Sequence, residues 1–563
     1  MKKVFSGVTA ILLLSAVCLT ACSNNDSTST GSVNASTGSA TSAPSSDPGA
    51  NSGAGNAGTA AGPVNETGFP IVKEPISLSA MVLLSPAQPT DWNDILVWQE
   101  YEKMTGIHID WDENTAADIT EKRNLALASD QLPDIFYRTK MPDSDVDKYG
   151  ADGSFLKLND LIDKYAPNFK AVMEKYPDVK KGIATADGSI YALPSLTDSP
   201  SIEITKKLFV NNSWLQKTGK KMPTTTDELY DVLKAFRDGD PNGNGKQDEV
   251  PMTADSLDDI MLVLQGAFGL GNKGTGNGNW DVDPASGELR YFPASESYKD
   301  FLTYLHKLYS ENLIDKEIFT NDGTKVLAKN DQNQVGSFSF SNVIARANAN
   351  AGDYAGLDAA LAGPNGDRLF TSARGHIGSR GAFMISKTNP YPEATMRWID
   401  YFYGDEGIRM LYLGLEGKTY QKNADGKYDF LPEIVGTIPE GSSFDQVVSK
   451  YVPYAGGSLP TLIYEDYFKG GETEPSAKAA AEHLRPFLPE ELWAPFSFTA
   501  EEAADKQTLE SDIYGLVKQR TAEFVQGKAS LDDFDKYVDQ LKKMGLGDLQ
   551  KIYKAAYDRY RAS

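Results

Sequence analysis

Cysteine is almost absent: of 563 residues, only Cys18 and Cys22 carry a thiol. Disulfide staples, thiol nucleophiles and thiolate metal sites are therefore excluded for everything beyond position 22. A body of this length must hold itself together with a conventional apolar core. Basic charge is also short, with 55 Lys and Arg against 78 Asp and Glu and a net charge of −23. Such a surface repels phosphate backbones, so nucleic acid is not an expected partner. Histidine is rarer still: His108, His306, His376 and His483 stand in no HExxH pair or other ligand spacing and read as solvated or core imidazoles. No GxSxG elbow occurs, which leaves serine hydrolysis without support. Gly269-Leu-Gly-Asn-Lys-Gly274 spells a dinucleotide fingerprint, but more Gly and Asn follow it instead of a helix, so it reads as a loop. Catalysis is not expected; the enzymatic alternative is a secreted glycoside hydrolase, for which an acidic chain always supplies paired carboxylates.

What is present begins at the amino end. Lys2 and Lys3 precede a mostly apolar stretch from Val4 to Val17, too short to span hydrocarbon and built as a secretory signal. Leu19-Thr20-Ala21-Cys22 has the form of a bacterial lipobox, in which the cysteine takes a diacylglyceryl group and palmitate-type acylation and becomes the first residue after cleavage of 1–21. Two or more acyl chains hold a protein stably at a membrane. Loss of Lys2 and Lys3 moves the net charge from −23 to −25. Residues 22–66 are nearly all Ser, Thr, Gly, Ala, Asn, Asp and Pro, too poor in apolar groups to offset the entropy of ordering, and read as a flexible tether. The body is then 67–563, long enough for two lobes.

Within the body, Ile76, Leu78, Ala80 and Val82 alternate with Ser77, Ser79 and Met81, the period of a strand. A helix from Asp91 to Gly106, a strand with Ile107, Ile109 and Trp111, a helix over 116–129 and a strand at Asp134–Tyr137 follow. This β-α-β-α-β order implies a parallel sheet with right-handed crossovers, and ligands of such sheets sit beyond the carboxyl ends of strands. The loops after Leu84 and Tyr137 are thus candidates for one wall of a cleft. Farther on, Leu158, Leu161, Ile162 and Tyr165, then Leu229, Val232, Leu233 and Phe236, recur at helical spacing, with Thr225 and Glu228 in capping-box positions. The residues beyond Ala500 read as three helices, one with the core stripe Phe534, Tyr537, Leu541 and Met544.

The most specific internal signal is Asp238-Gly-Asp-Pro-Asn-Gly-Asn-Gly-Lys-Gln-Asp-Glu249. Alternating oxygen ligands with glycines between them are what a hard cation asks of a tight loop, and calcium is its natural occupant. Two registers fit. One starts at Asp238 and puts Gly243 sixth and Glu249 twelfth; the other starts at Asp240 and uses Asn242, Asn244, the Lys246 carbonyl, Asp248 and Glu249. The second is preferred because it makes Lys246 a backbone donor. Nothing nearby suggests an activated water, so the expected role is structural, with an affinity on the order of 10⁻⁴ to 10⁻³ M as in extracellular modules.

Five segments in order then resemble the extracellular solute-binding proteins of bacterial ATP-driven importers, in the large Gram-positive lipoprotein branch akin to alginate-binding proteins. They are Glu102-Lys-Met-Thr-Gly-Ile107, Ser129-Asp-Gln-Leu-Pro-Asp-Ile135, Leu158-Asn-Asp-Leu-Ile162 with Ala166-Pro-Asn168, Asp187-Gly-Ser-Ile-Tyr-Ala-Leu-Pro194, and Asp240 to Glu249 with Val250-Pro251. The resemblance implies a two-lobed α/β fold of the class II periplasmic-binding-protein type, with parallel-sheet lobes discontinuous in sequence, hinge segments and a helical carboxyl-terminal region. It implies a monomer on the extracellular face of the cell membrane that takes a carbohydrate into an interlobe cleft and hands it to an ABC importer permease. It also supports the calcium register through Asp240, Asn242, Asn244, Lys246, Asp248 and Glu249.

Sugar rings present C–H faces that aromatic rings cover. Trp92, Trp214, Trp280 and Trp493 on predicted loops are therefore candidate solute contacts, with Tyr191 and Asp134 near strand ends beside them. Trp98, Trp111 and Trp398 lie in periodic segments and read as core.

Overall fold

The computed structural model describes residues 64–85, 91–436, 438, 444–453 and 458–562. The signal segment 1–21, Cys22 and nearly all of the tether lie outside the described residues. At its edge the chain is already engaged. Val64 bridges Val72, and the Asn65 amide donates to the Ile71 carbonyl at 2.8 Å, so the folded body starts slightly before the position 67 expected from composition.

Fourteen strands are described: β1 Ile76–Leu83, β2 Ile107–Asn114, β3 Ile135–Met141, β4 Leu193–Asp198, β5 Lys207–Asn211, β6 Thr253–Ala254, β7 Trp280–Val282, β8 Leu289–Tyr291, β9 Ser337–Phe340, β10 Tyr354–Gly356, β11 Ile377–Ile385, β12 Tyr420–Lys422, β13 Tyr428–Phe430 and β14 Leu462–Tyr464. Two sheets organise the body, β14-β4-β11-β3-β1-β2 and β10-β5-β9-β6.

The first sheet grows from the alternation seen in the sequence. Ile107, Ile109 and Trp111 are buried while Asp110 and Asp112, on the opposite face, are exposed, so β2 covers core on one face only. β1 pairs in parallel with both β2 and β3. From Ala80 onward β1 is buried on both faces: Leu78, Ala80 and Val82 join a large cluster with Trp92, Trp98 and Trp398, whereas Met81 and Leu83 join Phe136, Met141 and Val146 on the other side. Helices Leu96–Thr105 and Pro392–Asp400 cover the first face, and Ile119–Ser129 and Asp143–Ala151 the second.

Neither sheet is wholly parallel, which differs from the expected parallel lobes. β11 runs antiparallel between β3 and β4. In the second sheet only β6 and β9 are parallel, because β5 leaves the hinge crossing and β9 returns to it. The chain passes between the sheets at 199–206, again at 357–376, and a third time beyond β14.

Local signals explain several boundaries. Gly106 ends the first helix at φ 77°, a region that glycine enters without a Cβ clash. Thr225 Oγ1 accepts the Glu228 amide at 3.1 Å, but the Glu228 carboxylate returns to the Thr224 amide at 2.8 Å instead of that of Thr225, so only half of the expected capping box forms. A complete one, Thr499 with Glu502, starts the long helix Ala500–Gln526. With Phe534–Lys543 and Leu546–Ala562 it forms the helical carboxyl-terminal region, tied to helix Glu296–Ser310 through Tyr298 and Thr521 at 2.7 Å. Among the described residues, no helix is long and apolar enough to cross a membrane.

Candidate ligand cleft and metal loop

Strands β1, β3, β4 and β14 share one direction, and β4 and β14 end at the crossings between the sheets, where β9 and its parallel neighbour β6 also end. Ligands of α/β sheets collect at such carboxyl ends. There the segments after β9 and β14, with the stretch from β13 onward, enclose a cavity of about 830 Å³, well within the range of small-molecule sites. Phe430 and Phe444 meet edge to face on one side, with ring centroids 5.8 Å apart. Asn342 and Ile344 come from the other sheet, and Ile344 is 47% exposed. Polar groups converge between them: Ser341 Oγ donates to Glu472 Oε1 at 3.1 Å. Burial, and then the charge of Glu472, holds the Asp445 carboxyl above its ordinary range.

Next in sequence to the second-sheet wall, the end of β9 carries a cation–π stack. Phe340, the last residue of β9, lies with the Arg346 guanidinium 3.7 Å and the Lys206 ammonium 4.5 Å from its ring centre, and Asp255 and Asp259 hold those cations at 2.7 and 3.1 Å. Beneath it Lys207 is fully buried. Its ammonium donates to the carbonyls of Ser201, Ile204 and Ser341 at 2.7, 2.9 and 3.0 Å, stitching the first crossing to the end of β9. Burial pushes its pKa down to about 8, partly offset by Glu472.

The loop 240–249 brings its predicted ligands together. Asp240 accepts the amides of Gly243, Asn244 and Gly245, each at 3.1 Å, and both glycines sit at positive φ, 76° and 75°. Asn244 Oδ1 accepts the Lys246 amide at 2.8 Å, and Asp248 accepts from the side chains of Asn242 and Asn244 at 3.0 Å. Glu249 stands out: both carboxylate oxygens are buried, and neither has a hydrogen-bond partner among the described residues. The amides of Asp248 and Glu249 lean toward it, yet burial followed by the charges of Asp240 and Asp248 leaves the carboxyl raised. An orphaned anion facing two more carboxylates, amid amide and carbonyl oxygens, suits a hard dication. Asp238, by contrast, is held by Arg237 at 2.7 and 2.9 Å, so its carboxylate is engaged outside the loop and the register starting at Asp240 fits the geometry better.

The predicted solute contacts fare differently. Trp92 follows β1 as expected, but its side chain is fully buried against Trp98, Trp111 and Tyr137 at centroid distances of 5.8, 4.9 and 5.8 Å. Trp214 packs on Phe236 and Trp493 on Phe496 and Tyr557. Trp280 stacks on Tyr553 at 4.3 Å. All four are core residues: Trp92 and Trp214 sit in first helical turns, Trp280 opens β7 and Trp493 lies in an irregular segment, and each large side chain is turned inward to exclude water. Asp134 and Tyr191 precede β3 and β4 and therefore lie at the amino ends of their strands, away from the cavity. Asp134 serves β1 instead, accepting the Ser79 amide at 2.8 Å. Trp98, Trp111 and Trp398 are buried, as expected of core residues.

Phe430, Phe444, Asp445 and Glu472 were missed by sequence reasoning. Their stretch has no helical or strand period; its one signal is a density of aromatics among glycines and acids from Tyr428 to Phe468.

Residues 87–408 match the family described as bacterial extracellular solute-binding protein. The fructooligosaccharide ABC transporter substrate-binding protein FusA of Streptococcus pneumoniae is 31% identical to this chain, over 88% of the chain and 92% of its own length. The structure of FusA in complex with kestose superposes with a TM-score of 0.70 at 28% identity, covering 86% of this chain and 100% of that one. An EF-hand mutant of FusA in complex with fructo-nystose gives a TM-score of 0.69 at 27% identity, with 86% and 100% covered.

Proposed function

This chain belongs to the bacterial extracellular solute-binding proteins, and from that premise we propose that it captures an oligosaccharide, most readily a fructose oligomer, in the cavity between its two sheets and delivers it to an ABC importer permease. The observation that carries the reading is the cavity itself. It is large, lies at the carboxyl ends of strands from both sheets, and lines Phe430 and Phe444 with Asp445, Glu472 and Asn342, the mixture of ring faces and hydroxyl acceptors that a sugar needs. The likeness to FusA over most of both chains supports the choice of solute class.

Residues 1–21 direct export, Cys22 anchors the mature chain on the extracellular face, and 22–66 tether a solute-binding body that acts as a monomer. Closure about the three crossings would bury the solute. A sugar that contacts both walls stabilises the closed arrangement more than the open one and shifts the population toward it. Calcium in the loop Asp240, Asn242, Asn244, Lys246, Asp248 and Glu249 supplies charge compensation and rigidity, remote from any reaction.

Thermal unfolding of the full chain against fructose, glucose and uronate oligomers tests the proposal, since a ligand that binds only the native state raises its stability. The expected result is a shift with fructose oligomers, no cleavage of them over hours, and at least a tenfold weaker affinity in Phe444→Ala. Absence of any sugar-dependent shift would remove the proposal. Cleavage would replace it with the glycoside hydrolase alternative, acting through Asp445 and Glu472.

A further inference from the structure

We propose that Asp198, Glu203 and His376 form a second cation site, at the hinge, for a transition-metal dication of the zinc class. Each residue offers one ligand atom, and these atoms lie within 4.8 Å of one another. A tetrahedral zinc with bonds of about 2.0–2.2 Å wants ligand atoms roughly 3.3–3.5 Å apart, so metal binding would draw the three side chains closer together than they stand here. The three residues bring the first and second hinge crossings together. Asp198 ends β4, Glu203 lies in the first crossing, and His376 closes the second crossing just before β11.

Independent features prepare the ligands. His376 Nδ1 lies 2.9 Å from each carboxylate oxygen of Asp178, and Tyr176 covers the ring at a centroid distance of 4.3 Å. Donation of the Nδ1 proton to Asp178 fixes the tautomer that leaves Nε2 with its lone pair, the carboxylate–histidine–metal relay. Among the described residues, Nε2 has no hydrogen-bond partner. Tyr176 Oη and Lys175, the latter at 3.3 Å, both hold Asp198 Oδ2, which fixes that carboxylate and leaves Oδ1 unclaimed. Charge points the same way. Three carboxylates, Asp178, Asp198 and Glu203, share a half-buried space, and burial, then Asp198 and Asp178, raise the Glu203 carboxyl despite His376 beside it. Imidazole nitrogen with two carboxylates suits zinc, nickel or copper better than calcium or magnesium, so this site and the loop at 240–249 would not compete for one ion.

Titration calorimetry of the chelator-treated full chain with zinc, in calcium-containing buffer, tests the site. Expected is one zinc per chain, a drop of at least tenfold in affinity in both His376→Ala and Glu203→Gln, and no change in Glu249→Gln. Cobalt should give visible ligand-field bands in the wild type that His376→Ala abolishes. His376→Gln keeps a donor to Asp178 without the metal-binding nitrogen, so it separates lost ligation from lost folding, and melting in calcium alone checks each variant. The proposal fails if zinc does not bind stoichiometrically, or if the His376 and Glu203 variants bind it as the wild type does.

Discussion

Neutralising Glu249 should make the calcium-free protein more stable, not less. In most structures, removal of a buried polar group costs stability because its partner is stranded. Here both Glu249 oxygens are buried without a hydrogen-bond partner, and Asp240 and Asp248 face them. An unsatisfied buried group costs about 1–3 kcal/mol; the residue as a whole is half-buried, so the low end, about 1 kcal/mol, applies. Glu249→Gln relieves it. Asp240→Ala does the opposite, since it strands the three amides that Asp240 accepts, at a cost of about 1 kcal/mol as for a lost helix cap. Calcium at ten times its dissociation constant adds about 1.4 kcal/mol to the wild type, from RT ln(1 + [L]/Kd). With an unfolding entropy of about 2.1 cal/mol/K per residue, a body of this length melts with about 1 kcal/mol/K. The calcium shift should then be about 1–1.5 °C if the body unfolds as one, and about twice that if only the lobe with the loop does. Differential scanning calorimetry with and without calcium reads all of this. Expected are a raised melting temperature for Glu249→Gln and a lowered one for Asp240→Ala without calcium, and no calcium shift in either. The pH dependence has a definite sign. The Glu249 carboxyl is raised in the folded state, so calcium-free stability is full below the ordinary glutamate range and is lost as pH rises through the raised value. A full calcium shift in Glu249→Gln, or movement of both variants in the same direction without calcium, would refute the reasoning.

Lys207, held down at about 8 by burial, binds fewer protons when folded, so stability should climb as pH rises from about 8 toward the ordinary lysine range; Lys207→Met should flatten that slope in urea titrations and lower stability by about 2–4 kcal/mol through three stranded carbonyls. Asp400 accepts the amides of Asn168 and Phe169 at 3.2 and 2.8 Å, and burial raises it to about 6. Its share of the stability is lost as pH rises through 6, and Asp400→Asn should remove that slope between pH 4 and 6 in calorimetric melts. Trp92→Ala should cost about 3–5 kcal/mol of stability as a core truncation, while sugar affinity of the folded variant, measured calorimetrically well below its melting temperature, stays at the wild-type value.

The parts of the molecule legible in its sequence are the local ones. Strands β1 and β2 show as alternation because each leaves part of one face exposed, and the loop 240–249 shows because all its candidate cation ligands fall within ten residues. β11 did not show, since Ile377–Ile385 is buried on both faces over most of its length and pairs with strands more than 180 residues earlier. The hinge histidine looked unremarkable for the same reason: Asp178, Asp198 and Glu203 precede His376 by more than 170 residues, and no spacing rule reaches that far. Trp92, Trp214, Trp280 and Trp493 are buried although their turn-rich neighbourhoods suggest surface. In fact a run of aromatic rings from Trp92 through Trp98 to Trp398 fills the first face of the main sheet, and loop chemistry does not reveal which side of a loop faces inward.

The strand order also fixes when each half can assemble. All four strands of the second sheet come from residues 207–356, so that sheet is complete once a single uninterrupted stretch has been synthesised. The first sheet begins with Ile76 but keeps a gap until β11 and β14, ending at Tyr464, arrive from beyond its partner. Its early strands therefore wait with open edges, and contacts of such high sequence separation close slowly. The protein emerges amino end first, yet the half that emerges first is the last to finish.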